Sequence, residues 1–223
     1  MSKKIIVAVD EAKQNAAKDI INQLDPNKCM IKIGSVAFNS IGHGIISYSS
    51  QKGFDIFLDL KLHDIPNTVK KSIKGLSLLP VKMITIHTSG GKDMILAAKD
   101  AVVGTDIKVF GVTALTSLSD SDTSNIFQRT ISQQVSVMLD LAESVGIDGV
   151  VCSPHELELV KKRPSLLSIT PGIRLENSND DQKRVMTPKK AIELGADYIV
   201  IGRPITESKD ISKLLEEIYL SIQ

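Results

Sequence analysis

Two acids and a lysine lie close together in the stretch 59–68, which reads DLKLHDIPNT. Asp59 and Lys61 are two positions apart, and Asp64 follows three positions later. Carboxylates beside an amine at the end of a strand are typical of an α/β active site that does acid–base or electrostatic chemistry. A surface salt-bridge cluster is the other interpretation, but surface ion pairs stabilise weakly and need no hydrophobic strand beneath them.

The residues before this stretch predict the strand that positions it. Residues 54–58 read FDIFL, which is apolar and aromatic enough for a buried strand. Because side chains alternate faces in a strand, Asp59 and Lys61 share one face, opposite Leu58 and Leu60. Pro66 then suits the first turn of a helix. We therefore expect the charged side chains at the carboxyl end of a strand that leads into a helix.

Strand and helix patterns alternate along the whole chain and predict the fold. Eight strands are predicted at 5–9, 29–33, 54–61, 82–87, 107–113, 149–152, 166–170 and 198–201. Each is followed by a helical pattern; the second helix is predicted over 35–51, and residues 115–129 are predicted to be a polar loop. Eight such units indicate a parallel (β/α)8 TIM barrel formed by residues 1–223 as a single domain. An open doubly wound sheet is the alternative.

The composition limits the classes of function. The 223 residues are 42% hydrophobic and 24% charged, which is typical of a soluble globular protein. The formal net charge of +1 argues against nucleic-acid or membrane binding driven by bulk charge. Cys29 and Cys152 lie in apolar, strand-like surroundings without CxxC spacing, so we expect reduced buried thiols and no zinc site. We therefore expect a cytoplasmic protein.

A second lysine, Lys32, lies near the end of the second predicted strand, on the less apolar face. In a barrel this face points inward, and active sites lie at the carboxyl ends of the strands. Burying two lysines without acid partners would cost several kcal/mol each. The sequence therefore predicts an alternating array of Lys32, Asp59, Lys61 and Asp64.

Two glycine–arginine segments predict a phosphate site. Gly202-Arg203 follows the eighth strand, and the segment from Gly172 to Arg174 follows the seventh. The loops after these two strands are the usual phosphate cradle of such barrels. Glycine lets the backbone approach the ligand, and arginine supplies a fork of donors.

The stretch 59–68 resembles the signature of the orotidine 5′-phosphate decarboxylases. Its DxKxxD part is shared with a wider group of decarboxylases and aldolases, whereas the extension 65–68, IPNT, points to the orotidylate enzymes. The resemblance, which covers nearly the whole chain, implies conversion of orotidine 5′-monophosphate to UMP and CO2 without a cofactor or metal. It implies that Lys61 stabilises the C6 carbanion and protonates it. It also implies a homodimer in which Asp64 and Thr68 reach the partner's site.

The resemblance implies further contacts with the substrate. Asp10 and Lys32 match ribose-binding positions, and Asp59 lies near the substrate carboxylate. For the pyrimidine we favour Thr116, with Ser117 as the alternative, and His87 stays unassigned. The remaining implied contacts are those with the phosphate and those in the signature: Arg174, Gln182, Gly202, Arg203, Ile65 and Thr68.

Three other functions stay open from the sequence. A related barrel decarboxylase or aldolase would act on a sugar phosphate and would usually want Mg²⁺. A catalytically silent barrel would bind a phosphate ligand without needing the buried charge array. A structural or interaction protein is the third, although the sequence shows no repeats or coiled-coil heptads.

Overall fold

In the computed structural model, which describes residues 3–175 and 186–223, eight parallel strands form a closed barrel. The strands are β1 (Ile5–Ala8), β2 (Cys29–Gly34), β3 (Ile56–Leu62), β4 (Met83–His87), β5 (Lys108–Val112), β6 (Gly149–Val151), β7 (Leu167–Thr170) and β8 (Tyr198–Ile201). Each strand pairs with the next along the chain, and β8 pairs with β1 to close the barrel. The predicted (β/α)8 barrel is confirmed.

Helices surround the barrel and connect its strands. They are α1 (Gln14–Asn22), α2 (Ser35–Ile41), α3 (Gly44–Gln51), α4 (Pro66–Leu76), α5 (Lys92–Ala101), α6 (Asp120–Phe127), α7 (Ile131–Val145), α8 (Leu157–Lys161), α9 (Pro188–Glu193), α10 (Arg203–Thr206) and α11 (Ile211–Ser221). Short 3₁₀ turns cover Thr88–Gly90 and Pro154–Glu156. Within the described part of the chain, every helix is too short or too polar to cross a membrane.

The apolar core has two layers, because side chains on each strand alternate between the helices and the barrel interior. Ile5 and Val7 of β1 belong to the outer layer, whereas Ile6 belongs to the inner one. Inside the barrel the rings of Phe57 and Phe110 pack edge to face, with centroids 6.5 Å apart. This packing fills the lower barrel, so the polar side chains lie above it, at the carboxyl ends of the strands.

Two local predictions were wrong. The helix predicted over 35–51 is two helices, because Gly42 adopts a φ of +79° and ends α2 before α3 begins. The predicted loop 115–129 contains α6, which a capping box starts. The Ser119 hydroxyl accepts a hydrogen bond from the Asp122 backbone N–H, and the Asp122 carboxylate accepts one from the Ser119 backbone N–H.

Candidate active site

A cavity of about 530 Å³ opens at the carboxyl ends of the strands. Its wall includes Ala8 of β1, Val112 of β5, Val151 of β6, Ile169 of β7 and Val200 of β8. Volumes of about 300–1,000 Å³ are usual for pockets that enclose small ligands. The strand ends thus converge on one space of the size of a nucleotide-like ligand, as barrel geometry predicts.

Four charged side chains alternate in sign along one wall of this cavity. Asp59 is at the centre: its Oδ2 accepts a hydrogen bond from Lys61 Nζ at 2.8 Å and lies 3.5 Å from Lys32 Nζ. Lys32 Nζ also donates to Oδ1 of Asp10 at 3.0 Å. Asp59 and Lys32 are only 7% and 9% exposed. Each of these buried charges has an opposite charge beside it, which offsets the cost of removing it from water. Strands β1, β2 and β3 therefore assemble the row Asp10–Lys32–Asp59–Lys61.

The protonation state of Asp59 follows from these neighbours. Burial opposes its negative charge and by itself would raise the pKa of the carboxyl group. The ammonium groups of Lys32 and Lys61 outweigh burial, together with hydrogen bonds from Lys61 and Thr85, and hold the pKa of Asp59 below its ordinary value. Asp59 is thus a carboxylate at neutral pH, and it fixes the Lys61 ammonium in place.

The backbone of β3 departs from regular strand geometry where it carries these residues. Leu58 pairs with Ile84, but the next pair is Leu62 with Ile86, so β3 bulges against β4. Lys61 has a φ of +51°, a left-handed conformation that is uncommon for a residue with a side chain. The predicted face alternation nevertheless holds through Lys61: Asp59 and Lys61 line the cavity, whereas Leu60 and Leu62 pack against the outer layer of the core.

The predicted phosphate-binding residues lie together on another part of the wall. Gly172, Arg174, Gly202 and Arg203 all line the cavity. Gly172 has a φ of +81°, which favours glycine. Arg174 is buried, and its Nη1 donates to the carbonyl of Ile173 at 3.0 Å. Two arginines from the loops after the neighbouring strands β7 and β8 thus line the same cavity.

Other predicted contacts divide into those that reach the cavity and those that do not. Thr116 is half-buried and lines the cavity, whereas Ser117 is exposed and lies outside its lining. This placement favours Thr116 over Ser117. Gln182 lies outside the described residues. The single chain does not bring the exposed signature residues into the cavity; these are Asp64, Ile65 and Thr68.

Two groups with familiar reactive chemistry have environments that limit it. Cys152 lines the cavity, but burial raises the pKa of its thiol to about 12, so it is protonated and a poor nucleophile. The His87 ring lies 5.1 Å from the ring of His63. Burial, followed by the charges of His63 and Lys61, lowers the pKa of His87, which is therefore neutral at pH 7.

Among residues 3–175 and 186–223, no three His, Cys, Asp or Glu side chains cluster as metal ligands would.

A family comparison agrees with this geometry. A model of the "Orotidine 5′-phosphate decarboxylase / HUMPS family" matches residues 3–218. The chain belongs to this family. The predicted resemblance is thereby confirmed over nearly the whole chain.

Individual relatives match end to end. An "Orotidine 5′-phosphate decarboxylase" of Saccharophagus degradans is 43% identical over 221 residues, which are 96% of this chain and 93% of the relative. One from Idiomarina loihiensis is 45% identical over 98% of this chain and 97% of the relative. A crystal structure of orotidine 5′-phosphate decarboxylase from Lactobacillus acidophilus superposes with a TM-score of 0.87 at 35% identity, covering 100% of both chains. The likeness therefore extends to the fold as well as the sequence.

Proposed function

We propose that this protein decarboxylates orotidine 5′-monophosphate to UMP and CO2, the last step of UMP synthesis. The observation that carries the proposal is the ammonium of Lys61, held 2.8 Å from the buried Asp59 carboxylate on the wall of the cavity. Relatives of 43–45% identity over nearly their whole length bear the name of this activity. Their names and this geometry point to the same chemistry.

The reaction requires a cation at the carbon that loses CO2. When the bond between C6 and the carboxylate breaks, CO2 leaves and the electron pair stays on C6, where no adjacent carbonyl accepts it. A cation fixed beforehand near C6 stabilises this charge without the cost of reorganising solvent. Lys61 supplies that cation and then transfers a proton from Nζ to C6, which forms UMP; it regains a proton from water. Asp59 and Lys32 keep the Lys61 amine in position.

The remaining contacts bind and orient the nucleotide. Thr116 contacts the pyrimidine, and Asp10 and Lys32 contact the ribose. Binding energy from the distant phosphate helps to lower the barrier at C6, because it offsets the cost of placing the base against the charged row. The proposed phosphate ligands are Arg174, Gln182, Gly202 and Arg203.

We also propose that the active form is a cytoplasmic homodimer of single-domain barrels. Asp64 and Thr68 are exposed on the chain alone, and Ile65 between them leaves 67% of its surface exposed. A predicted catalytic acid that stays outside the cavity of its own chain is consistent with a role in the site of a second copy. A second copy would bring Asp64, Ile65 and Thr68 to the partner's cavity and add the fourth member of the predicted Lys–Asp array.

The test follows orotidylate absorbance with purified protein, with and without EDTA, beside Lys61→Ala. We expect turnover that EDTA does not change. The Lys61→Ala variant removes both a charge-stabilising group and a proton donor, and each such group typically contributes about 10²-fold or more, so kcat should fall at least ~10⁴-fold. Lys213→Ala, on the outer face of α11 with its side chain 72% exposed, is the control and should keep wild-type kcat.

Loss of turnover in EDTA, or no turnover of orotidylate at all, would contradict the proposal. Activity on a sugar phosphate with Mg²⁺ would then support the related barrel decarboxylases and aldolases. Tight UMP binding without turnover would instead indicate a binding protein.

A further inference from the structure

One buried hydroxyl contacts both residues at the centre of the proposed reaction. Thr85, on β4, is completely buried. Its Oγ1 lies 3.0 Å from Oδ1 of Asp59 and 2.8 Å from the backbone nitrogen of Lys61. Thr85 itself lies outside the cavity lining, so it can act on a substrate only through these two residues.

The chemistry of the three groups fixes the direction of both hydrogen bonds. The Lys61 backbone N–H can only donate, so the Thr85 oxygen accepts from it. Asp59 is ionised and can only accept, so the single hydroxyl proton of Thr85 points to Oδ1. The hydroxyl therefore donates to the side chain of Asp59 and accepts from the backbone of Lys61.

One of the two hydrogen bonds supports the irregular backbone at Lys61, and the other orients the carboxylate of Asp59. At the bulge, residues 59–61 of β3 face Thr85 alone between the pairs Leu58–Ile84 and Leu62–Ile86. The Thr85 hydroxyl takes the place of a backbone carbonyl as the acceptor for Lys61, whose φ of +51° is costly for a residue with a side chain. On Asp59, Oδ2 faces Lys61 and Lys32, and Oδ1 faces Thr85, so both oxygens are oriented.

We infer that Thr85 is a positioning residue for the decarboxylation, which locks the Asp59 carboxylate and the left-handed Lys61 backbone so that the Lys61 ammonium lies at the reacting carbon. This inference rests on the proposed function. Small displacements of a catalytic group are costly in rate, and a misplacement of 1 Å can lower it by about 10²-fold.

The test compares Thr85→Val, which keeps the shape and removes the hydroxyl, with Thr85→Ser, which keeps the hydroxyl. We expect Thr85→Val to lower kcat by about 10- to 100-fold, with the affinity for UMP changed by less than about threefold, because Thr85 does not line the cavity. Thr85→Ser should stay within about threefold of wild-type kcat. Thr113→Val is the matched control: Thr113 is a buried threonine beyond β5 whose hydroxyl donates to the Val151 carbonyl, away from the charged row.

A second measurement needs no substrate. The Thr85 hydrogen bond is one of the groups that lower the pKa of Asp59, so the free energy of unfolding should drop less between pH 5 and pH 2 in Thr85→Val than in wild type. The acid limb of the kcat/KM profile should move to higher pH for the same reason. Thr113→Val should change neither.

Each result decides between two readings. Wild-type kcat in a folded Thr85→Val, or an equal loss in Thr85→Ser and Thr85→Val, would overturn the positioning role. If Thr85→Val does not fold, the near-isosteric Thr85→Cys, a weak donor, takes its place: full wild-type kcat would overturn the role, and a larger loss than in Thr85→Ser would support it. Failure of the wild type to consume orotidylate would refute the proposed function instead, and the acid unfolding of Thr85→Val would then test the contact with Asp59.

Discussion

Asparagine in place of Asp59 would remove one charge from the centre of the row while keeping the volume of the side chain. Its amide oxygen can still accept the hydrogen bond from Thr85, which now reaches Oδ1 at 3.0 Å. The charge that separates Lys32 from Lys61 disappears. The substitution therefore tests whether the carboxylate holds the two ammonium groups together.

The distances set the magnitude of the effect. Both lysine nitrogens lie near the same oxygen of Asp59, at 2.8 and 3.5 Å, so they are about 6 Å apart at most. Two unit charges at ~6 Å repel by about 2–3 kcal/mol at an effective dielectric constant of ~20. Because the Lys61 side chain is 35% exposed, solvent screens part of this repulsion, and we take about 1–2 kcal/mol as the net value.

The assay is the pH dependence of kcat with orotidylate. In Asp59→Asn the repulsion disfavours the doubly charged pair, so the basic limb should move about one pH unit toward neutral. At the optimum, kcat should be at least ~10²-fold lower, because the Lys61 ammonium loses the group that orients it. The control is Asp140→Asn, since Asp140 is an exposed residue of α7 that pairs with Arg163; this variant should leave the profile unchanged. A kcat within threefold of wild type with an unmoved basic limb would refute the reasoning.

Two further predictions concern His87 and the dimer. The pKa of His87 is lowered by burial and by His63 and Lys61, so on acidification below about pH 6.5 the unfolded chain gains a proton that the native protein resists. Stability is thus lost as the pH falls, and His87→Gln should lose less free energy of unfolding between pH 7 and pH 5.5 in urea titrations; an unchanged pH dependence would contradict this. For the dimer, the inactive Lys61→Ala and Asp64→Ala variants are refolded together in equal amounts. Half of the dimers then contain one chain of each kind and carry one intact site out of two, so the mixture should recover about a quarter of wild-type activity. No recovery above either parent would show that Asp64 acts within its own chain or not at all.

Much of the barrel could be predicted because a buried parallel strand is a short apolar run with polar ends. Helix ends have a signal of their own: α7 begins after Thr130, whose hydroxyl caps it, and ends at Gly146, which has a φ of +63°. The two features that the sequence prediction missed are set by single residues or by one short motif. Gly42 divides α2 from α3, and the capping box at Ser119 starts a helix inside a polar segment.

The candidate site also has residues that could be predicted from the sequence and one that could not. Lys32, Asp59 and Lys61 were identifiable because each falls at the end of a strand, and barrel geometry brings strand ends together. Thr85 was not, because its contact with Asp59 joins residues 26 positions apart and depends on a bulge between two strands. A strand-face pattern predicts which side chains share a face, but it does not predict where the pairing with a neighbouring strand shifts.

The bulge also accounts for the left-handed backbone of Lys61. A left-handed residue with a side chain costs about 1–2 kcal/mol, and such strain persists only where the surroundings over-determine it. At Lys61 three contacts do so: the backbone N–H binds Thr85, the ammonium binds Asp59, and Leu62 returns to its pairing with Ile86. Each contact comes from a strand that the closed barrel already holds in place. The fold therefore pays for the position of Lys61 through hydrogen bonds on β3 and β4, which is why the hydroxyl of Thr85 is as much a part of the proposed chemistry as the charges it orients.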